Sequence, residues 1–384
     1  MYFNFFIFFI FLFLNNISES FIFKKLFFKN KNYKNNKKQI EEIYIDYLKT
    51  YEKYDTIENN QFNGLFKFYN YDQTNFDIFK KNYEIIEEKN SNIGFELGFN
   101  SEFDTIPYDE PTNNLMEIII PKNYTSKINY QKYMKSPLMY FKNIFSIRKE
   151  FNWNHTDYLS PVKNQGNCGS CWAFASTNAL ESFMRSQNYN ITRLSEQELV
   201  DCSKENHGCN GGIMHKAFDF IINNKGLVSN EDYPYKAITK ECNIYNCSSN
   251  SIDIRGLDHN NSDISMINKV NGSYLKEYEF SVPKSIIDRI ISLQISPITI
   301  AIDASSIYFR YYKSGVIDIN INETQQLNHA VLLVGYGFDN SGLYWIIQNS
   351  WGTDWGDNGF CKIRVQDGEG ILLSNIYGVY PIKI

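Results

Sequence analysis

The apolar positions of this chain change period along its length, and the changes divide it into parts. Residues 1–14 are almost purely apolar, and Phe5 to Leu14 carry no charge. A run of about ten apolar residues is too short to span a bilayer and suits a signal-peptide core. Ser18-Glu19-Ser20 follows, so residues 1–20 read as a signal peptide cleaved near Ser20. The run has no positive charge before it, which leaves an uncleaved anchor as the alternative. Residues 24–38 hold seven lysines and no acid, the composition of a solvated spacer. Ile40, Ile43, Tyr44, Tyr47, Leu48 and Tyr51 then recur at helical spacing. A second helix is predicted from Thr74 to Asn90, with Phe79, Asn82, Ile86 and Asn90 in one stripe. Two asparagines in an apolar stripe predict side-chain hydrogen bonds to a neighbouring element. Residues 105–150 are mixed and proline-punctuated, as in an extended linker.

From Trp153 onward cysteines, glycines and short apolar runs alternate. Trp172 to Met184 has the spacing of a buried helix. Leu194 to Val200 opens another, with Ser195 and Glu198 as a capping box. Met214 to Ile222 predicts a short third helix. Residues 243–276 are rich in Asn and Ser with little periodicity and read as a surface insertion. After Pro297 the pattern turns to strands: Ile298–Ile302, Val331–Tyr336, Tyr344–Gln348 and Phe360–Val365. Helices first and strands second predict an α+β protein with two facing halves.

Charge and cysteine usage sharpen that division. Residues 1–146 carry 18 basic and 18 acidic side chains, and residues 147–384 carry 20 and 25. The whole net charge of −5 therefore lies in the C-terminal part. An acidic domain without a basic stripe excludes nucleic acid as the expected partner. All seven cysteines lie at or after Cys168, so the two parts differ in character, and an odd count leaves at least one outside an intramolecular bridge.

The candidate chemistry centres on Gln165-Gly166-Asn167-Cys168-Gly169-Ser170-Cys171-Trp172. Cys171 sits where a polar loop becomes a helix, and free backbone N–H groups and the helix dipole favour a thiolate there. A redox or metal pair of Cys168 with Cys171 is the competing reading. A nucleophilic cysteine needs a base, an orienter for the base and donors for an oxyanion. Of the five histidines, His155, His207, His215 and His259 fall in polar loops, a helix or the Asn-rich tract. His329 instead stands at the head of an apolar strand. Asn349 follows a second strand, where its amide can orient the imidazole and Trp351 can exclude water. Gln165, six residues before Cys171, can add a side-chain N–H beside the Cys171 amide.

Several segments together resemble the papain-like cysteine proteases of the cathepsin L and falcipain kind. They are Pro161 to Phe174, Leu194 to Cys202, Gly208-Cys209-Asn210-Gly211-Gly212, Asp232-Tyr233-Pro234-Tyr235, Asn328-His329-Ala330 and Tyr344 to Phe360. The gaps from Cys171 to His329 and Asn349 are 158 and 178 residues, longer than the family's roughly 130–150. The insertion accounts for the excess. The resemblance implies a two-lobed papain-like fold, with a helical left lobe, a β-barrel-like right lobe and the active site in the cleft between. It implies Cys171 as nucleophile, His329 as its ion-pair partner, Asn349 as orienter and Gln165 in the oxyanion hole. Gly211 and Gly212 resemble the strip that pairs with an extended substrate. Met214, Ala301, Asn328, Ala330 and Tyr377 fall where such enzymes line an apolar pocket. Disulfides Cys168–Cys209 and Cys202–Cys242 are implied, leaving Cys171 free, Cys361 a buried thiol and Cys247 without an assigned partner. A zinc site from Cys202, Cys209, Cys242 and Cys247 has unsuitable spacing, so neither a metal nor another cofactor is expected.

Phe79, Asn82, Ile86, Asn90 and then Gly98 to Asp104 resemble the inhibitory propeptide of these enzymes. Residues 21–146 are then a propeptide: a Lys-rich spacer at 21–39, a helical inhibitor region at 40–104 and a linker at 105–146. It would be removed near 143–150, ahead of a peptidase domain at 147–384. The implied activity is a cysteine endopeptidase made as a zymogen. A catalytically silent papain-fold binding protein and an exopeptidase of the family are the alternatives. Expected partners are protein and peptide substrates, the chain's own propeptide and cystatin-like inhibitors, for a monomer. The expected location is the secretory pathway, ending in a lysosome-like acidic vacuole or outside the cell. Asn123, Asn154, Asn190, Asn260, Asn271 and Asn322 are glycosylation acceptors by sequence.

Overall fold

A computed structural model of the chain describes residues 37–51, 53, 72–107, 150–244, 275–281, 286–319, 327–365 and 378–384. The signal segment, most of the lysine-rich spacer, the linker from 108 on, the body of the insertion, Cys247 and Tyr377 lie outside these residues. The chain divides into two compact units, 1–80 and 81–384.

In the first unit, α1 (Lys37–Thr50) presents Tyr44 and Tyr47 to the first turns of α2 (Gln73–Asn90). The Tyr44 ring lies 5.3 Å from Phe76 and 4.8 Å from Phe79, and Tyr47 lies 5.0 Å from Phe79. Helical spacing brings these rings onto one face, and their burial holds the pair together.

The second unit contains the rest of α2 and β1 (Glu96–Leu97). Next come β2 (Phe151–Asn152), α3 (Cys171–Ser186), α4 (Glu196–Cys202) and α5 (Met214–Asn223). After the insertion follow β3 (Glu277–Phe280), α6 (Ile286–Ile295), β4 (Ile298–Ile302), α7 (Ile307–Arg310), β5 (Tyr312–Ser314) and β6 (Val316–Ile317). The chain closes with β7 (His329–Asp339), β8 (Gly342–Gln348), β9 (Phe360–Arg364) and β10 (Gly378–Lys383). One sheet runs in the order β3-β10-β4-β7-β8-β9-β6, with β2 added against β7. Its pairs are antiparallel except β6 with β9. Strand β4 is buried at every position and β7 at its first nine, which explains their nearly continuous apolar runs. Helix α3 is buried from Cys171 to Met184.

Three expectations need adjusting. Ser195 Oγ does accept the Glu198 N–H at 3.0 Å, but the Ser195 N–H bonds the Val228 carbonyl. Glu198 turns instead to the Val228 N–H and the Asn224 amide, so only half of the capping box forms. The insertion ends earlier than 276: Leu275 is buried, and the Lys276 N–H bonds the Lys383 carbonyl at the sheet edge. The linker begins later than 105, because Arg310 Nη1 donates to the Pro107 carbonyl at 3.1 Å.

A charged cluster lies inside the helical part. Lys163 Nζ meets Glu181 Oε1 at 2.7 Å and Glu196 Oε1 at 2.5 Å, with all three side chains buried. Ser160 Oγ, Thr177 Oγ1 and the Leu194 N–H supply further donors to the two carboxylates. Buried charges persist only when paired and hydrogen-bonded, and this set meets that condition.

Candidate active site

The loop before α3 is fixed largely by its own backbone. The Cys168 N–H bonds the Gly166 carbonyl, the Ser170 N–H bonds the Cys168 carbonyl, and the Gly169 N–H bonds the Cys209 carbonyl. The Cys168–Cys209 disulfide staples the same two segments, with Cα atoms 4.7 Å apart. A second disulfide joins Cys202 to Cys242. Cys171 is the first residue of α3, buried and not in a disulfide, so Cys168 and Cys171 do not form a redox pair. Behind it the Trp172 indole donates to the Gly208 carbonyl at 3.2 Å. Gly211 adopts φ 103°, and a Cβ on Gly212 would come within 2.6 Å of the Trp172 ring. Neither position accommodates a side chain without strain, so the backbone there stays uncovered.

His329 opens β7, pairs in register with Ile302 of β4 and is fully buried. Its Nε2 meets Asn349 Oδ1 at 2.7 Å. Its Nδ1 is buried without a hydrogen-bond partner. The Trp351 ring lies 4.8 Å from the imidazole, and Phe309 packs edge-on behind both. Trp355 completes this aromatic wall, its indole donating to the Phe309 and Arg310 carbonyls. The next residue after the histidine, Ala330, directs its backbone N–H at the Cys171 sulfur. Thiol and imidazole are thereby brought to one place.

Gln165 joins them. Its Nε2 donates to the Cys168 carbonyl at 2.8 Å and its Oε1 accepts from Ser350 Oγ at 2.7 Å.

Electrostatically this is a closed site. Burial pushes the Cys171 thiol up to about 11, against the amides of Ala330, Trp172 and Cys171 itself, which pull it down. Burial likewise drives His329 down to about 4, opposed by its bond to Asn349. At the thiol, desolvation therefore acts against the helix dipole and the amides. Moving the proton from sulfur to imidazole keeps the net charge of the site constant.

Of the residues expected at an apolar pocket, Met214, Ala301 and Ala330 are buried, and Ala301 faces Ala330 across β4 and β7. The Asn328 side chain is bonded locally. Its amide donates to Asp303 and Ser305 and accepts from the Ala304 N–H, which ties it into the turn after β4. Sequence reasoning did not single out Ser350, Phe309, Trp355 or Lys163. Their partners lie far along the chain, and no local pattern marks them.

Residues 82–107 lie against the segment from α7 to β5. Strand β1 pairs with β5, Glu96 opposite Ser314 and Leu97 opposite Tyr312. Asn82 Nδ2 donates to the carbonyls of Phe103 and Ile106 and reaches Tyr311 Oη at 3.2 Å. Asn90 exchanges two bonds with the Leu97 backbone. Both stripe asparagines therefore serve as brackets for the following turn. Phe103 stacks edge-on against Tyr311 at 5.0 Å, and Lys89 Nζ sits 5.0 Å above the Tyr308 ring. Asn100, Ser101 and Glu102 line one small cavity with Asn164, Gly166, Trp351 and Trp355, so this segment reaches the edge of the catalytic loop.

A family model described as papain family cysteine protease matches residues 147–379. The chain belongs to the papain family of cysteine proteases. It is 32% identical over 338 residues to cysteine proteinase COT44 of Brassica napus, covering 85% of this chain and 92% of that one. Cathepsin L2 of Homo sapiens is 33% identical over 302 residues, covering 74% and 79%. Among solved structures, a recombinant stem bromelain precursor superposes with a TM-score of 0.68 at 28% identity, covering 90% of this chain and 99% of that one. The match to a precursor extends the likeness through the helical propeptide. This papain-family chain is a cysteine endopeptidase made as a proenzyme, acting on protein substrates and restrained by its own propeptide. The described residues hold two disulfides, bonds that form and persist in oxidising compartments.

Proposed function

We propose that Cys171 is the nucleophile, His329 its base and later general acid, Asn349 the orienter, and Gln165 with the Cys171 amide the oxyanion donors. The thiol proton moves to His329 Nδ1 while sulfur attacks the peptide carbonyl carbon. The carbonyl electron pair shifts onto oxygen, which the Cys171 N–H and the second N–H of Gln165 Nε2 stabilise. Collapse breaks the C–N bond, and His329 returns the proton to the leaving amine. Water, deprotonated by the same imidazole, then hydrolyses the thioester. The observation that carries this reading is the His329 ring, fixed through Nε2 by Asn349 with Nδ1 left bare, while the next residue, Ala330, directs its N–H at the thiol.

Gly211 and Gly212 are the backbone strip for an extended peptide. Met214, Ala301 and Ala330 line an apolar pocket for the residue two before the scissile bond, with Trp351 on the leaving-group side. Tyr377 completes that pocket, and Asn328 contributes main chain only. Residues 1–20 are the signal peptide, 21–146 the propeptide and 147–384 the peptidase domain. The mature enzyme is a monomer inhibited by cystatin-like proteins, working in an acidic vacuole or outside the cell. N-terminal sequencing of the active form, with a peptide-library profile at that pocket, tests these points together. A mature N-terminus between 143 and 150 and an apolar preference support them; a start after Cys171 or a charged preference sinks them.

A further inference from the structure

The side chain of Gln165 is a primary amide whose two ends are nearly equal in size. Packing alone does not tell its oxygen from its nitrogen; hydrogen bonds do. Its Oε1 accepts from Ser350 Oγ at 2.7 Å, and its Nε2 donates to the Cys168 carbonyl at 2.8 Å. The Gln165 main chain is gripped as well. Its N–H bonds the Ser350 carbonyl at 2.9 Å, and its own carbonyl accepts from Tyr235 Oη at 2.7 Å. Tyr235 Oη also meets Ser170 Oγ, the residue just before Cys171, at 2.6 Å. On the far side the Ser350 N–H donates at 2.8 Å to the same Asn349 Oδ1 that meets His329. Ser350 thus bonds both the oxyanion donor and the orienter of the base, from positions 185 residues apart in sequence for Gln165.

We propose that Ser350 is a positioning residue that sets the amide of Gln165, and with it the oxyanion hole, in register with the Asn349–His329 pair. Tyr235 clamps the opposite side of the same loop. This rests on the reading of Gln165 as an oxyanion donor. The Ser350 hydroxyl touches neither thiol nor imidazole; it acts by holding the Gln165 N–H toward the developing charge before reaction begins.

The test uses full-chain proenzyme processed by an added protease, with folded sites counted by an epoxide thiol inhibitor. Ser350→Ala removes only the hydroxyl. It should lower kcat by about ten- to a hundredfold with KM within about twofold, the signature of an interaction made in the transition state. Affinity for a peptide aldehyde, whose adduct carries an oxyanion-like oxygen, should fall in parallel, while the epoxide alkylation rate should not. Ser350→Thr, which keeps the hydroxyl, should restore kcat to within about threefold. In a Gln165→Ala background the Ser350 change should cost less than about twofold, because its target is gone. If Ser350→Ala yields too few titratable sites, Tyr235→Phe takes its place, with an expected loss of about three- to tenfold that also vanishes in Gln165→Ala. Full kcat in these variants, or losses that multiply in the double variants, overturns the proposal. Full kcat in Gln165→Ala alone shows instead that the oxyanion reading beneath it has failed.

Discussion

Helix α3 serves two buried polar clusters that are built in opposite ways. Toward its middle, Glu181 and Thr177 face Lys163 and Glu196, where one ammonium answers two carboxylates and backbone and hydroxyl donors fill almost every remaining site. Glu196 Oε2 alone of that set has no partner. At its start, Cys171 receives the Ala330 N–H, next in sequence to His329, which is bonded to Asn349. There the imidazole Nδ1 and the Asn349 Nδ2 are both buried with hydrogen-bonding capacity unused. A saturated cluster has nothing left to offer a substrate and holds the lobe together. An unsaturated one costs stability and keeps valences open for a reacting carbonyl. The difference lies in satisfaction, not in burial.

The widest test of that contrast removes each nucleus in turn. Cys171→Ala should abolish peptidase activity, by about 10⁴-fold or more, while the proenzyme unfolds at the same or a higher denaturant concentration. A marked loss of stability would put Cys171 among the structural groups. Lys163→Met should do the reverse, lowering unfolding free energy by roughly 3–5 kcal/mol because buried Glu196 loses its cation and Glu181 is left with Arg185 at 3.7 Å. Urea titration of Cys171→Ala with and without that change measures it; an effect under about 1 kcal/mol would mean the cluster is far less committed than its geometry indicates.

The imidazole gives a pH signature. Burial holds His329 at about 4 against an ordinary value of 6.5. Between those values the unfolded chain binds a proton that the folded one refuses. Its contribution is therefore fully favourable above pH 6.5 and is lost as pH falls toward 4, by roughly 3 kcal/mol in all. His329→Gln should flatten this part of the stability profile in Cys171→Ala proenzyme. An unchanged slope between pH 7 and pH 4 would mean other groups carry the acid response.

The smallest of these effects concerns the propeptide. Asn82→Ala removes the amide that donates to the Phe103 and Ile106 carbonyls and reaches Tyr311 Oη, leaving Tyr311 Oη as the donor that still meets the Ile106 carbonyl. The segment should be held about 1–3 kcal/mol less tightly, seen as faster processing of the proenzyme at a fixed concentration of added protease. Processing at the original rate would show that Asn82 shapes the helix without securing the turn.

The same contrast explains what could be read from sequence. Cys171 is marked by local signals, a glycine-bearing loop running into an apolar helix, and His329 by a strand whose burial writes an unbroken apolar run. Strand β4 was legible for the same reason, and the Asn82–Asn90 stripe announced its bonds by placing amides where apolar groups belong. Strand β10 was not: it is short, contains Pro381 and gains its place only by pairing with β3 and β4. Strand β3 was hidden by the Asn- and Ser-rich tract before it. Lys163 reads as an ordinary surface lysine until Glu181 and Glu196 fold onto it from 18 and 33 residues away. Ser350 lies inside the family-like segment Tyr344 to Phe360, but nothing local marks its hydroxyl, since a serine after an asparagine looks like a turn.

The most direct test of the central claim is to treat the processed enzyme with a peptidyl epoxide inhibitor and map the adduct by mass spectrometry. One adduct is expected, on Cys171, with the buried Cys361 thiol unmodified and labelling reduced at least about a hundredfold in His329→Ala. An adduct on Cys361, none at all, or full labelling without His329 would contradict the account.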